Sequence, residues 1–437
     1  MFFHYVDLAW RSFKRTPVVS VLMVLAIAIG IGITMTSLSV YHMMSMDPIP
    51  HKSSKLYAVQ LDTMDDGEEW WTEDNLPTQI TYKDAMFLND VDLPYRKIAS
   101  TRTGFTVHMN SSEVKPFLES ARVTGNEFFA MFDLEFLYGN AWSKEQYQSA
   151  APVVVLSESI NEKLFGGEDS VGKQVYLNDE VFQVVGVIKE WDIHTKYYDL
   201  NNGSFNSPED LFIPLSLIKA KELTTWGNTN GWKYQEINSF QDRLNSELLW
   251  VQFWVELNNE QEKQAFSEYL TNYLAEQGTL GRFEREKTEF SLRNVNEWME
   301  YNNVVSEDNR LLVGLSFLFL TVCLVNILAL LLAKFLRRAP EVGVRRALGA
   351  SKSHVFAQHL VEVSMLGFFG GVVGIGIAQL GLWGVRSTYS YFSALATMDL
   401  SMLFAAPMIA IVSCLIAGAI PAWLVCKTQP AIYLKTQ

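Results

Sequence analysis

The stretch Lys334–Lys352, KFLRRAPEVGVRRALGASK, decides how the rest of the chain is read. Six cations stand in it against one acid, Glu341, and long apolar segments flank it on both sides. Cytoplasmic loops carry the excess of Lys and Arg, so a basic loop between two membrane spans faces inward. A charged helical segment in that place is neither lipid-facing nor a core. It is expected to be a docking surface on the cytoplasmic side.

Outward from this stretch, composition segregates. Apolar residues concentrate before residue 46 and after residue 310, in windows that pass the spanning length of about 20 residues. The middle carries 44 of the 48 acids and 22 of the 35 cations, and the net charge of the whole chain is −13. An acidic outer module with a basic inner rim is the positive-inside pattern, and it argues against nucleic acid as a partner. The expected fold class is an α-helical membrane protein with four transmembrane helices and a large α+β extracytoplasmic domain between spans 1 and 2. Its expected parts are a cytoplasmic N-terminal segment with the first span (1–45), the extracytoplasmic domain (46–309), the second span (310–333) and the basic loop (334–354). A third span (355–385), a short outer loop (386–402), a fourth span (403–426) and a tail (427–437) follow. Both termini are then cytoplasmic, and membrane lipid surrounds the spans.

The run Val18–Met44 follows Arg11, Lys14 and Arg15. It is too long for a signal-peptide core of about 7–15 residues and reads as a retained span. Pro17 suits a first helical turn. Gly30 and Gly32, with Thr34, Thr36, Ser37 and Ser39, make a small-residue stripe for close helix packing. In the second span, the Asn326 amide needs a partner and is expected to face another helix rather than lipid. The third span begins polar, with Gln358, His359 and Glu362, then turns glycine-rich at Gly367, Gly370, Gly371, Gly374 and Gly376. An acid at mid-bilayer costs about 2.5–3.5 kcal/mol, so Glu362 is expected to reach the interface or pair with the basic loop. The three cysteines, Cys323, Cys414 and Cys426, all lie in or beside apolar segments. The middle domain therefore has no disulfide framework, and no metal-ligand spacing is present.

Within the middle, Leu56–Leu61, Ile98–Thr101, Phe105–Met109, Asp210–Leu215, Leu248–Leu257 and Phe283–Leu292 read as strands. Thr81–Val91, Ser157–Phe165 and Glu260–Gln277 read as helices. Val175–Ile188 reads as a hairpin bent at Asn178-Asp179. The order suggests an α+β lobe resembling half of a ferredoxin-like unit. The acidic Asp62–Asn75, with Trp70 and Trp71, reads as a solvated loop. GEDSVGKQ (Gly167–Gln174) nearly fits a phosphate-binding loop. However, Gln174 offers no hydroxyl to Mg²⁺, and the segment opens a strand where such a loop opens a helix. No cofactor is expected in this chain; if ATP and Mg are used, a partner chain binds them.

The residues APEVGVRRALGASKSHVFAQHLVEVSMLGFFGGVVG after the second span resemble the signature of MacB/FtsX-type ABC transporter permeases. The block FGG…VGKQVYL…FQVVGVI resembles the family's periplasmic core motif, and the terminal PAWLVCKTQPAIYLK its C-terminal ending. One departure is Ala339-Pro340, where a charged residue usually precedes the Glu; Pro340 suits the first turn of a helix beginning there.

The resemblance implies a non-enzymatic permease subunit of the bacterial inner membrane. It would work with a cytoplasmic ABC ATPase and a second permease copy or a related permease. The coupling helix would be Glu341–Ala350, with Glu341, Val342, Gly343, Arg345, Arg346, Leu348, Gly349 and Ala350 at the ATPase. Arg345 and Arg346 would supply cationic contacts, and Gly349 a tight exit. The implied activity is export of peptides, toxins or small amphiphiles through a periplasmic adaptor and a TolC-like outer-membrane channel. Lipoprotein release is an alternative. So is FtsX-like signalling to a cell-wall hydrolase, although FtsX-like chains usually have a much smaller outer domain. A receptor without an ATPase is disfavoured by the coupling-type loop.

Overall fold

The computed structural model describes residues 2–71, 74, 76–110, 114–282, 288–388, 398 and 400–427. Residues 389–397, 399 and 428–437 hold most of the expected outer loop and nearly all of the expected tail, and lie outside the described residues. So do residues 283–287 of the expected strand Phe283–Leu292. The chain divides into two compact units, Met1–Met46 with Val305–Gln437, and Asp47–Val304.

The first unit is helical. Pro17–Ser45, Glu307–Arg337, Lys352–Thr388 and Leu400–Lys427 are the spans, and all four are long and apolar enough to cross a membrane. The N-terminal basic segment is a separate helix, Phe2–Arg15. Thr16 leaves helical geometry, and Pro17 then opens the first span, where its missing N–H costs nothing. Glycines let the spans approach closely. A Cβ on Gly371 would lie 2.7 Å from the Pro407 Cα, one on Gly374 3.0 Å from Ile31, and one on Gly30 2.9 Å from Leu320. Gly370 is pressed against Ile27 in the same way. Thr34 donates to the Gly30 carbonyl at 2.9 Å and to the Ser316 carbonyl at 3.1 Å, joining the first and second spans. Asn326 lies on the outer surface of this bundle. It is exposed beside Val322 and Val325, and no described helix of this chain covers it.

At one end of this bundle a carboxylate is buried. Glu362, 1% exposed, forms an ion pair with Lys334 at 2.7 Å and lies 3.9 Å from Arg338 and 3.8 Å from His359. Ser12 of the N-terminal helix donates to it. Ser12 in turn accepts from Arg338 at 2.6 Å. Three helices thus meet on one charge, which is why the second span runs on past residue 333: Lys334 is drawn inward instead of opening a loop. A buried charge persists only where it is paired and hydrogen-bonded.

Among the described residues, the second unit is built on a mixed sheet of eleven strands. These are β1 (Leu56–Leu61), β2 (Ile80–Thr81), β3 (Lys97–His108), β4 (Phe117–Thr124), β5 (Phe136–Gly139) and β6 (Val153–Ser157). The remainder are β7 (Gln174–Leu177), β8 (Glu180–Ile188), β9 (Leu211–Pro214), β10 (Leu249–Glu256) and β11 (Phe290–Asn294). The order is β11-β1-β10-β3-β4-β9-β6-β8-β5, with β2 on β10 and β7 bridging β3 and β8. The pairs β4–β9 and β6–β8 are parallel. The strand pairs fit one extended sheet better than an isolated ferredoxin-like half.

Val153–Leu156 in β6 and Leu211–Pro214 in β9 read as unbroken apolar runs because both sheet faces are covered. Alternate residues divide between two cores. Val154, Leu156, Leu211 and Ile213 join Phe266, Leu270 and Leu274 of the helix Glu260–Thr279. Val153, Val155, Phe212 and Trp254 join an aromatic core around Phe128, Phe132 and Tyr198. Expected strands Ile98–Thr101 and Phe105–Met109 are one strand, β3, continuous through Gly104. The hairpin bend is as read: Asn178 and Asp179 both adopt positive φ, 51° and 63°, which favours Asn and Asp. Thr81 caps the helix Tyr82–Asp90 by accepting from the Asp84 N–H at 3.1 Å. Gly166 caps Glu158–Phe165, and GEDSVGKQ leads into β7, not into a helix. The Trp-rich loop is not wholly solvated. Met64 and Trp70 are buried in a small cluster with Leu249, while Trp71, stacked on Trp70, is exposed along with Asp66, Glu68 and Glu69.

Buried charge also pins this unit. Arg122 on β4, fully buried, pairs with Asp199 and with Glu209 at 2.6 Å. Lys196 pairs with Glu209, and Tyr198 donates to it at 2.9 Å. Burial by itself would raise the Glu209 carboxyl, but the Arg122 and Lys196 charges outweigh it and hold the group at about 2.

Three outcomes are expected. The unit Asp47–Val304, which contains no cysteine, folds alone and shows the same urea midpoint with and without dithiothreitol. Glu209 titrates lower folded than unfolded, so its stabilisation is complete above its ordinary value of 4.5 and is lost as pH falls toward about 2. Urea midpoints measured across that window should drop, and in Glu209→Gln should drop less. In the membrane unit, Lys334→Met strands Glu362 and costs about 3–5 kcal/mol. Thermal unfolding in detergent should show that loss, and Lys334→Met/Glu362→Met should recover most of it.

Candidate docking helix

The basic stretch folds as a short helix, Ala339–Ala347. Pro340 lies in its first turn and Glu341 follows, at the positive end of the helix dipole. Arg345 and Arg346 occupy the last turn, where cations are favoured. Glu341 and Arg345 pair across one turn at 2.6 Å. Gly349, at φ +103°, makes the exit in a region that favours glycine. Ser351 then accepts from the His354 N–H at 3.2 Å and starts the third span.

The helix is shorter than the expected Glu341–Ala350, and its residues divide by face. Ala339, Val342 and Gly343 are buried against the bundle. Pro340, Glu341, Val344, Ala347, Leu348 and Gly349 are exposed, and Ala350 is half-buried. Leu348 is 84% exposed and Val344 49%. These two stand one turn apart and form an apolar edge.

Both arginines are engaged within the chain. Arg346 donates to the Cys426 carbonyl at 3.1 Å, at the end of the fourth span. Arg345 is engaged by Glu341 and reaches Gln358 at 3.4 Å. Both are committed within the chain, and the apolar edge is what faces outward. Val344 was not singled out from the sequence. Its signal is i, i+4 spacing with Leu348, legible only once the buried side of the helix is known.

The remaining candidates are packing residues. Glu362, Gly30, Gly370, Gly371 and Gly374 lie inside the bundle, and Asn326 lies on its outer surface. The second span, with Lys334, and the third, with Glu362, flank the docking helix in sequence. The salt bridge therefore closes the loop that presents it.

Residues 20–273 match the model of the MacB-like periplasmic core domain, and residues 313–430 match that of the FtsX-like permease C-terminal domain. A macrolide export ATP-binding/permease protein MacB of Mannheimia succiniciproducens is 22% identical over 70% of this chain and 42% of its own length. An uncharacterized ABC transporter permease, YvrN, of Bacillus subtilis is 24% identical over 58% of this chain and 56% of its own length. The chain thus spans about half the length of the curated relatives it matches. The crystal structure of the periplasmic region of MacB from Actinobacillus actinomycetemcomitans aligns over 57% of this chain and 94% of that one, with 17% identity and a TM-score of 0.37. Two family models in sequence cover both the outer domain and the C-terminal spans. The chain belongs to the MacB/FtsX-type family of ABC transporter permeases and is a multi-pass inner-membrane protein.

Proposed function

We propose that this chain is a permease subunit that couples ATP hydrolysis in a separate cytoplasmic ATPase to motion of its periplasmic domain. The observation that carries the reading is the exposed Val344–Leu348 edge on a short helix between two spans. Apolar residues at the tip of a basic loop are costly in water and gain by burial in a partner's groove. The six cations of Lys334–Lys352 support a cytoplasmic position for that helix, with both termini inside. ATP and Mg are bound by the ATPase, and this subunit itself is not an enzyme.

The coupling is mechanical. ATP binding favours one arrangement of the assembly only through contacts that differ between states, and the docking helix is where such contacts enter. The helix is rooted through Lys334, Arg338 and Glu362 in the second and third spans, and through Ser12 in the N-terminal helix. The chain then passes from the spans into the sheet domain at residues 46–47 and 304–305.

The subunit works as a dimer with a second copy or a related permease. Asn326 supports this reading: an exposed amide within an apolar span face is satisfied when a second amide meets it. The cargo is a peptide, toxin or small amphiphile, expelled with a periplasmic adaptor and a TolC-like outer-membrane channel. This part rests on the export function in the names of the MacB relatives.

Val344→Asp and Leu348→Glu should each lower co-purification of the ATPase by on the order of tenfold, because each buries a charge at the interface. Membrane insertion and thermal unfolding of the permease should stay unchanged, since both side chains are exposed. Undiminished co-purification in both variants would remove the docking assignment.

A further inference from the structure

A cavity of about 210 Å³ opens beside the docking helix, between the N-terminal helix and the start of the third span. Four guanidiniums line it: Arg11 and Arg15 from the N-terminal helix, and Arg338 and Arg345 from the basic loop. Among the described residues, Glu341 is the one acid in its wall. Asp7 stands behind Arg11 at 2.8 Å, and Glu362 stands 3.9 Å from Arg338. Set Asp7, Glu341 and Glu362 against Arg11, Arg15, Lys334, Arg338 and Arg345, and two positive charges remain.

The site is built in advance. Arg338 is only one-fifth exposed and is held by two hydrogen bonds to Ser12, at 2.6 Å to its hydroxyl and 3.3 Å to its carbonyl. Arg15 reaches Glu341 only at 3.7 Å, which leaves its donors available to another acceptor. A planar guanidinium matches the oxygens of a phosphate better than those of any other common anion group except a carboxylate.

The surroundings fix the level of the cavity in the membrane. Trp10, on the same helix as Arg11 and Arg15, is half exposed, with Lys14 5.8 Å from its ring. Phe3 on that helix is 86% exposed. Trp423, near the end of the fourth span, is likewise exposed beneath Lys427. Tryptophan next to cations marks the headgroup region, and a helix with exposed aromatics and arginines lies in that plane.

We infer that this cavity binds the phosphodiester of an anionic membrane phospholipid, with Arg11, Arg15 and Arg338 as its ligands. Basic pockets between membrane helices on the cytoplasmic side take such headgroups. The inference rests on the reading of Lys334–Lys352 as an interfacial loop, but not on ATPase docking. Glu341 and Arg345 belong to both the cavity and the docking helix. A bound phosphate therefore competes with Glu341 for Arg15 and Arg345, and ties the posture of the helix to the lipid.

The test is native mass spectrometry of the full chain, equilibrated in detergent with equal phosphatidylglycerol and phosphatidylcholine. One phosphatidylglycerol per chain should be retained preferentially. Arg11→Gln/Arg15→Gln should weaken that retention by on the order of tenfold or more. Both side chains are about 70% exposed, so the thermal transition should not move. Equal retention of the two lipids, or full retention by the variant, overturns the proposal. Displacement of the lipid by millimolar inorganic phosphate makes it a soluble-phosphate site and also overturns it. ATPase co-purification on the same samples separates the two readings. With the unsubstituted chain, loss of the ATPase with lipid retained counts against docking alone, and loss of the lipid with ATPase retained counts against the lipid site alone.

Discussion

The membrane unit depends on one buried carboxylate. Glu362 is held by Lys334 of the second span and by Ser12 of the N-terminal helix, with Arg338 and His359 close by. A charge at that depth has no water to fall back on, so its partners must stay. Each partner belongs to an element that would otherwise be free to slide. The interaction fixes where the second span ends, where the third begins, and hence where Ala339–Ala347 projects. The sheet domain solves the same problem in the same way, with Arg122 holding Asp199 and Glu209 behind a double-faced sheet. In both units, a buried ionic cluster fixes the position of elements that apolar packing alone would leave degenerate.

Much of this was legible in the sequence. Segregated hydropathy marked the four spans, and the Lys/Arg bias marked the basic loop. Asn178-Asp179 marked its hairpin because few other residue pairs adopt positive φ so readily. Glycine spacing in the third span pointed to close packing, and Gly371 against Pro407 is such a contact. The cost of an acid in hydrocarbon left Glu362 to reach the interface or to pair with the basic loop, and it pairs with Lys334.

The parts not legible are those set by distant residues. The sheet order brings β10 beside β1 and β3 across more than a hundred residues, and no local pattern encodes that. Trp70 looked solvated because its neighbours are acidic, yet Met64 and Leu249 enclose it. The family resemblance implies ATPase contacts for Arg345 and Arg346. The fold spends them on Glu341 and the Cys426 carbonyl, and turns Val344 and Leu348 outward. Periodicity gives the faces of a short helix, but not which one meets the bundle.

The central claim is that force enters through the apolar edge of Ala339–Ala347. The most direct measurement places a photoreactive amino acid in turn at positions 344, 348 and 346 in membranes containing the cognate ATPase. The account predicts cross-links to the ATPase from 344 and 348, and none from 346, whose side chain turns toward the fourth span. Cross-links from 346 with none from 344 and 348 would contradict it.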